Sequence, residues 1–326
     1  MLHRKKAIRV TLVVLSVIAA LILGFTIFSH AVYHRSDMAT LVEIYFRVLG
    51  TKDKFSDAEK CEEYIEQRRN SVEYVIDVKL KSNIAEEDVG GSRVYTLTKT
   101  QAPAYRILYL HGGAYINDAS SYHWKLCDRL VQELNAEVIF PIYPLAPVHT
   151  YAETYELLET IYKDELADSD IPVIFMGDSA GGGLSAAFCE YLCEKDLSQP
   201  EKLILFSPWL DISMSEPKAA DYESADPMLS AYGLTEMGKY WADGLPLDDY
   251  KVSPIFGNVS GLQNVYLFVG TREIFYPDVT AFYDMLLEKG ISSKLYVGEG
   301  MNHVYPLYPI PEADEAFDAV CAIIRN

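Results

Sequence analysis

Gly177-Asp178-Ser179-Ala180-Gly181 sets a serine in a G-x-S-x-G pentapeptide. A serine hydroxyl attacks a carbonyl only if a base takes its proton. The flanking glycines suit a strained turn that exposes the hydroxyl while neighbouring backbone passes close by. A second run of small residues, Leu110-His111-Gly112-Gly113-Ala114-Tyr115, follows an apolar segment. Backbone N–H groups not covered by side chains can hold the oxyanion such an attack creates. Gly113 and Ala114, with Ala180 behind the serine, are therefore the candidate donors, and Gly112 shapes the turn. His111 reads as an orienting group and Asp178 as a carboxylate that fixes loops by hydrogen bonds. The chemistry these residues point to is two-step acyl transfer on Ser179, which needs no metal and no cofactor.

The elements that must carry these residues alternate along the chain. Short apolar runs at 105–110, 137–143, 172–177, 202–208, 265–270 and 294–298 read as strands. Between and after them, helical patterns run near 122–134, 151–166, 181–193, 278–289 and 312–324. Continuous apolar strands separated by helices predict a parallel sheet covered on both faces. Two further segments, 72–81 and 93–99, alternate like strands around an acidic, glycine-containing turn and predict an opening hairpin. The fold class expected is α/β with a mostly parallel eight-stranded sheet, and with the G-x-S-x-G turn it resembles an α/β-hydrolase. The pentapeptide then sits between a strand and a helix, the context that G-x-S-x-G requires. Helices predicted at 38–49 and 56–69, the second with Ser56 as N-cap, could form part of a lid. The interval 211–260 breaks the alternation and reads as a cap over the carboxyl ends of the strands.

In this fold the chain order is serine, acid, histidine. His3, His30, His34, His111, His123 and His149 all precede Ser179, so His303 is the candidate general base. Asp178 lies beside the serine and Asp211 before the cap, both out of place for the acid. HGGAY (111–115), YPLAP (143–147), GDSAGG (177–182), SPWLD (207–211), DPMLS (226–230), GTREI (270–274) and GMNH (300–303) recur in order. With them the chain resembles the hormone-sensitive-lipase-like branch of α/β-hydrolases, which includes arylacetamide deacetylase-like enzymes and microbial esterases. It departs from that pattern at Ala114, where a third glycine is usual, and at Val148, where glutamate is common. Alanine keeps its N–H, so the first change narrows an oxyanion hole more than it removes it.

The resemblance implies a serine esterase acting on small-molecule esters of small to medium acyl groups. It also implies that Glu273 is the acid that orients His303. Asp278 is the other acid after strand 265–270. It follows Pro277, which suits the first turn of a helix, where a carboxylate complements the helix dipole. Tyr115, Tyr232 and Tyr305 are expected to line an aromatic cleft. The same residues could cleave amides, which leaves an amidase or peptidase as the alternative. A non-catalytic ligand-binding protein on this fold would be expected to lack the serine or the histidine, and both are present.

Half of the 326 residues are apolar, enough for a large core, and the formal net charge is −19. The first 35 residues hold Arg4, Lys5, Lys6, Arg9 and Arg35 and no acid, so the remainder is more acidic still. Such a surface repels nucleic acid. Five scattered cysteines with no CxxC pair argue against a disulfide framework, a zinc site or a redox site. Residues 10–28 carry no charge and follow a basic cluster, which predicts a membrane-spanning helix. The expected organisation is an anchor over 1–35 and a catalytic domain over 36–326, with cap elements at about 36–70 and 211–260. The positive-inside rule puts the catalytic domain outside the cytoplasm. Cleavage near Ser29-His30-Ala31 and secretion is the alternative.

Overall fold

The computed structural model describes residues 2–69 and 74–326, the first nine of these by backbone alone. Eight strands form one sheet in the order β1-β2-β4-β3-β5-β6-β7-β8. β1 (Asn83–Val89) and β2 (Ser92–Thr98) make an antiparallel hairpin, and β2 runs antiparallel to β4 (Ala136–Pro141). All other pairings are parallel: β3 (Tyr105–Leu110), β5 (Val173–Asp178), β6 (Lys202–Phe206), β7 (Val265–Gly270) and β8 (Ser293–Gly298).

Period-two alternation sends Ile107 and Tyr109 of β3 into one apolar layer and Leu108 and Leu110 into the other. Both layers are covered, so the central strands read as unbroken apolar runs. Three helices, numbered like the others in chain order, lie ahead of the sheet: α1 (Leu2–Val32), α2 (Asp37–Val48) and α3 (Ala58–Arg69). α4 (Ser121–Leu134) covers one face together with the last helix, whereas α5 (Tyr151–Ile161) and α6 (Ser179–Glu194) cover the other. The 211–260 interval folds as α7 (Ala219–Glu223), α8 (Ala231–Ala242) and short 3-10 turns. α9 (Tyr276–Glu288) joins the α5–α6 face, and α10 (Pro311–Arg325) packs beside α4. Within α1, Thr11–Val32 is apolar and long enough to cross a membrane, and of its residues Ser29 alone is buried in the protein.

Three expectations need correction. The first hairpin strand is Asn83–Val89, not 72–81. Residues 72 and 73 lie outside the described residues, and 74–80 pair with no strand. The alternation there is one of burial alone: Tyr74, Ile76, Val78 and Leu80 rest on the α4 side of the core. Val75, Asp77 and Lys79 face outward. Glu86, Glu87 and Asp88, read as a turn, lie instead on an exposed edge strand, where charge discourages pairing with other chains. Second, α3 is capped by Asp57, whose carboxylate accepts the Lys60 N–H at 3.1 Å, while the Ser56 hydroxyl turns back to Asp53. Third, the predicted 151–166 helix changes to a π turn at Tyr162–Leu166.

Candidate active site

β5 passes into α6 with no intervening loop, and Ser179 stands at the junction with φ 52°. That left-handed conformation costs a non-glycine residue about 1–2 kcal/mol. Close packing behind the turn holds it: a Cβ at Gly181 would run into the carbonyl oxygen of Leu110 at the end of β3. The turn lifts the Ser179 hydroxyl to 2.9 Å from Nε2 of His303, and Nδ1 of the same ring lies 2.6 Å from Oε2 of Glu273. With the ring proton on Nδ1 donating to the carboxylate, Nε2 presents its lone pair to the hydroxyl. Burial opposes a charge on His303, but the hydrogen bond and charge of Glu273 outweigh it and raise its pKa above the ordinary value.

Glu273 is fully buried, and its other oxygen accepts from Ser207 Oγ at 2.8 Å and from the Gly270 N–H at 2.6 Å. Ser207 Oγ in turn accepts the Val304 N–H at 3.0 Å. One hydroxyl at the end of β6 therefore ties the Glu273 loop to the His303 loop. Asp226 performs a similar task from the 211–260 interval, accepting the N–H groups of Met228, Leu229 and Ile274 at 2.8–3.0 Å. Further out, buried Glu43 of α2 pairs with Arg35 at 2.7 Å and Arg272 at 2.9 Å, and Arg35 donates to the Gly300 carbonyl at 2.9 Å. Asp278 is buried away from His303. Burial first, then the charges of Asp211 and Glu216, push its carboxyl up to about 7.

The loop after β3 lies beside the serine. Gly113, Ala114 and Tyr115 all have positive φ, and among the described residues no hydrogen bond takes the N–H of Gly113 or Ala114. Ala180 is the second residue of α6, where first-turn N–H groups have no partner inside the helix. Tyr115 pins the loop by stacking between Trp209 and Trp241, at 5.5 and 4.2 Å. Asp178 fixes it from below, accepting the Gly112 N–H at 3.1 Å, the Tyr109 hydroxyl at 2.8 Å and His123 Nε2 at 3.2 Å. Burial alone would raise the Asp178 pKa, but His123 and Tyr109 outweigh it and hold the carboxylate ionised. His111 bonds the Gly112 carbonyl at 2.8 Å and stacks on Tyr143. Burial, with His123 nearby, lowers its pKa to about 4, so the ring is uncharged at neutral pH.

Above the serine lies an apolar cavity of about 330 Å³. Phe46 of α2, Phe55, Met228, Leu234 of α8 and Tyr308 contribute its walls. The aromatic lining is not the one expected from sequence. Tyr115 is committed to its tryptophan stack, Tyr232 points outward on α8, and Tyr305 is buried elsewhere; Tyr64, Tyr122 and Tyr308 face the cavity instead. Sequence reasoning also missed Ser207, Asp226, Tyr109 and His123. The first two fall in the SPWLD and DPMLS runs, which mark them as notable without saying what they hold. Tyr109 and His123 sit in ordinary strand and helix patterns that carry no such signal. Among the described residues no cluster of three or more His, Cys, Asp or Glu side chains could hold a metal ion.

Comparison with known proteins gives a consistent result. The profile of a family described as alpha/beta hydrolase fold matches residues 107–307. An esterase from Acinetobacter venetianus is 31% identical over 224 residues, covering 67% of this chain and 74% of that protein. The crystal structure of a candidate esterase from Staphylococcus aureus superposes with a TM-score of 0.79 at 30% identity, covering 85% of this chain and 96% of the other. That of a hormone-sensitive lipase from a metagenome library superposes at 0.75 over 88% of this chain and 98% of its own. Its 24% identity bears on the fold alone.

Proposed function

Because the chain belongs to the α/β-hydrolase family of esterases and lipases related to hormone-sensitive lipase, and is a carboxylic ester hydrolase, we propose that it works through an acyl-enzyme on Ser179. The observation that carries this reading is the unbroken relay Ser179 Oγ, His303, Glu273, with contacts of 2.9 and 2.6 Å. His303 Nε2 takes the hydroxyl proton as Oγ attacks the ester carbonyl, and Glu273 stabilises the imidazolium that forms. The carbonyl oxygen, now negative, is held by the N–H groups of Gly113, Ala114 and Ala180. His303 then protonates the departing alcohol, and a water deprotonated by the same ring releases the acid. His111, Gly112 and Asp178 hold the oxyanion loop in place. A cavity of about 330 Å³ with apolar walls supports small to medium acyl groups.

Residues 1–35 act in this reading as a membrane anchor. Residues 36–326 form the catalytic domain, with cap elements from about 36–70 and 211–260 over the cavity. The basic cluster ahead of the apolar stretch favours a catalytic domain outside the cytoplasm. Two experiments test these statements. A fluorophosphonate should label the folded wild-type chain and fail to label Ser179→Ala; a folded, unlabelled wild type would refute the acyl-enzyme. Protease added to intact cells should remove the catalytic domain, and full protection until the cells are permeabilised would reverse the orientation.

A further inference from the structure

α2 is apolar on two sides whose centres lie about 120° apart around the helix. Its inner side carries Ala39, Val42 and Phe46 onto the core beside Tyr308, and Phe46 continues into the cavity wall. Its outer side carries Met38, Leu41, Ile44, Tyr45 and Val48, followed by Leu49, all exposed, Val48 by 80%. At 100° per residue these six fall within one arc of about 140°. Isolated exposed apolar side chains are ordinary, whereas a contiguous helix face of them marks a contact surface.

The position of this face indicates what covers it. Only four residues separate α1 from α2, and Asp37, the first residue of α2, accepts a hydrogen bond from Thr26 at 2.7 Å. The start of α2 is thus level with the last turns of the apolar stretch Thr11–Val32, not beyond them. The corner is held firmly: the Arg35 N–H bonds the Ser29 carbonyl, the Ser36 hydroxyl accepts the Ala39 N–H, and Glu43 clamps Arg35 and Arg272. A strongly acidic chain gains nothing from anionic lipid headgroups, so the attraction available to this face is apolar.

We propose that α2 lies along the bilayer surface with its outer face in the lipid, and that the cavity behind Phe46, one helix thickness away, receives esters dissolved in the membrane. This rests on reading α1 as an anchor and Ser179 as the nucleophile. The full chain in phosphatidylcholine vesicles provides the test. Trp124, Trp209 and Trp241 are each at most 1% exposed and give a constant background, so Tyr45→Trp and Leu21→Trp report their own surroundings.

Brominated phosphatidylcholine should quench both new tryptophans, and acrylamide neither. Quenching of Leu21→Trp alone, with Tyr45→Trp open to acrylamide, would overturn the docking and leave the anchor standing. Quenching of neither by lipid would overturn both. A Tyr45→Trp shielded from lipid and acrylamide alike would mean that protein, such as a second copy, covers the face, and would also overturn the proposal. The double variant Leu41→Asp, Val48→Asp should lower hydrolysis of a long-chain ester presented in vesicles by about tenfold. Its kcat/KM on dissolved p-nitrophenyl butyrate should not change. An equal fall on both substrates would overturn membrane supply of the ester, while loss of activity in Ser179→Ala tests the nucleophile separately.

Discussion

Two histidine–carboxylate pairs flank Ser179, and their chemistry diverges at the second ring nitrogen. His303 uses Nδ1 on Glu273 and turns Nε2 to the serine hydroxyl. His123 uses Nε2 on Asp178, and its Nδ1 accepts the Ser120 N–H at 2.8 Å, inside the cap of α4. Both rings are buried beside a carboxylate, yet of the two only His303 turns its second nitrogen to a serine hydroxyl. A histidine beside an acid is therefore not in itself a base; the partner of its remaining nitrogen decides.

The sharpest way to break this comparison is to remove each ring. His303→Gln should lower kcat by on the order of 10⁴–10⁶, since loss of a base in a coupled relay costs nearly as much as loss of the nucleophile. His123→Gln should stay within about tenfold, because its ring holds a loop and moves no proton. Steady-state kinetics on one soluble ester measures both, and comparable losses would dissolve the distinction drawn between the pairs.

Next in size is Glu273→Gln, with a kcat loss on the order of 10³–10⁴. Its pH signature is as informative as its magnitude. The raised pKa of His303 places the acid limb of kcat/KM above about 6.5, with activity rising as the ring loses its proton. Without the Glu273 charge, burial remains the dominant influence, and the limb should move below that value. The linked contribution to stability is complete below the unfolded pKa of about 6.5 and fades as pH rises through the raised folded value. A limb that does not move would show that Glu273 is not what holds the imidazolium.

Asp178→Asn should act through position. Nδ1 of His123 accepts the Ser120 N–H, which leaves Nε2 as the donor to Asp178, and an amide NH₂ opposite it would set donor against donor. The Gly112 loop loses its support. We expect kcat to fall by about 10- to 100-fold, as misplacement of a site can do, and stability by about 1.5–3 kcal/mol. Thermal denaturation and kinetics on the same preparation measure the two effects.

What was legible in the sequence follows from how local each constraint is. Gly177–Gly181 and His111–Ala114 are short runs whose tight turns demand particular residues, so both could be located without coordinates. The order of strands and helices was legible because each central strand is apolar on both faces. Ser207 and Asp226 act only once β6, the 211–260 interval and the two loops after β7 and β8 have converged, and no neighbouring residue reports that. Residues 74–80 misled because alternating burial looks the same whether or not a ladder forms. The cavity wall was misjudged for a related reason, as stacking with Trp209 and Trp241 takes Tyr115 out of it.

The smallest effect on catalysis should come from Asp278→Asn, and it sharpens the contrast with Glu273 because both acids follow β7. At the start of α9 the residue was expected to complement the helix dipole with a negative charge. It lies instead in a buried site facing Asp211 and Glu216, and its pKa of about 7 leaves it largely neutral in mildly acid solution. A neutral carboxyl complements a dipole weakly, so the benefit of the acid at this position is small. The sign of the linkage follows from the raised value. The contribution to stability is complete below the unfolded pKa of about 4 and is lost as pH rises through about 7, because ionising the group in place is costly. Wild type should therefore lose on the order of 1–4 kcal/mol from this residue between pH 4 and pH 9. In Asp278→Asn that part of the pH dependence should disappear, making the variant relatively more stable in alkaline solution, with kcat within about twofold of wild type because nothing at 278 touches His303. Urea denaturation at several pH values, paired with kinetics, reads both quantities. A kcat loss approaching that of Glu273→Gln would mean that the acid serving His303 is Asp278 after all.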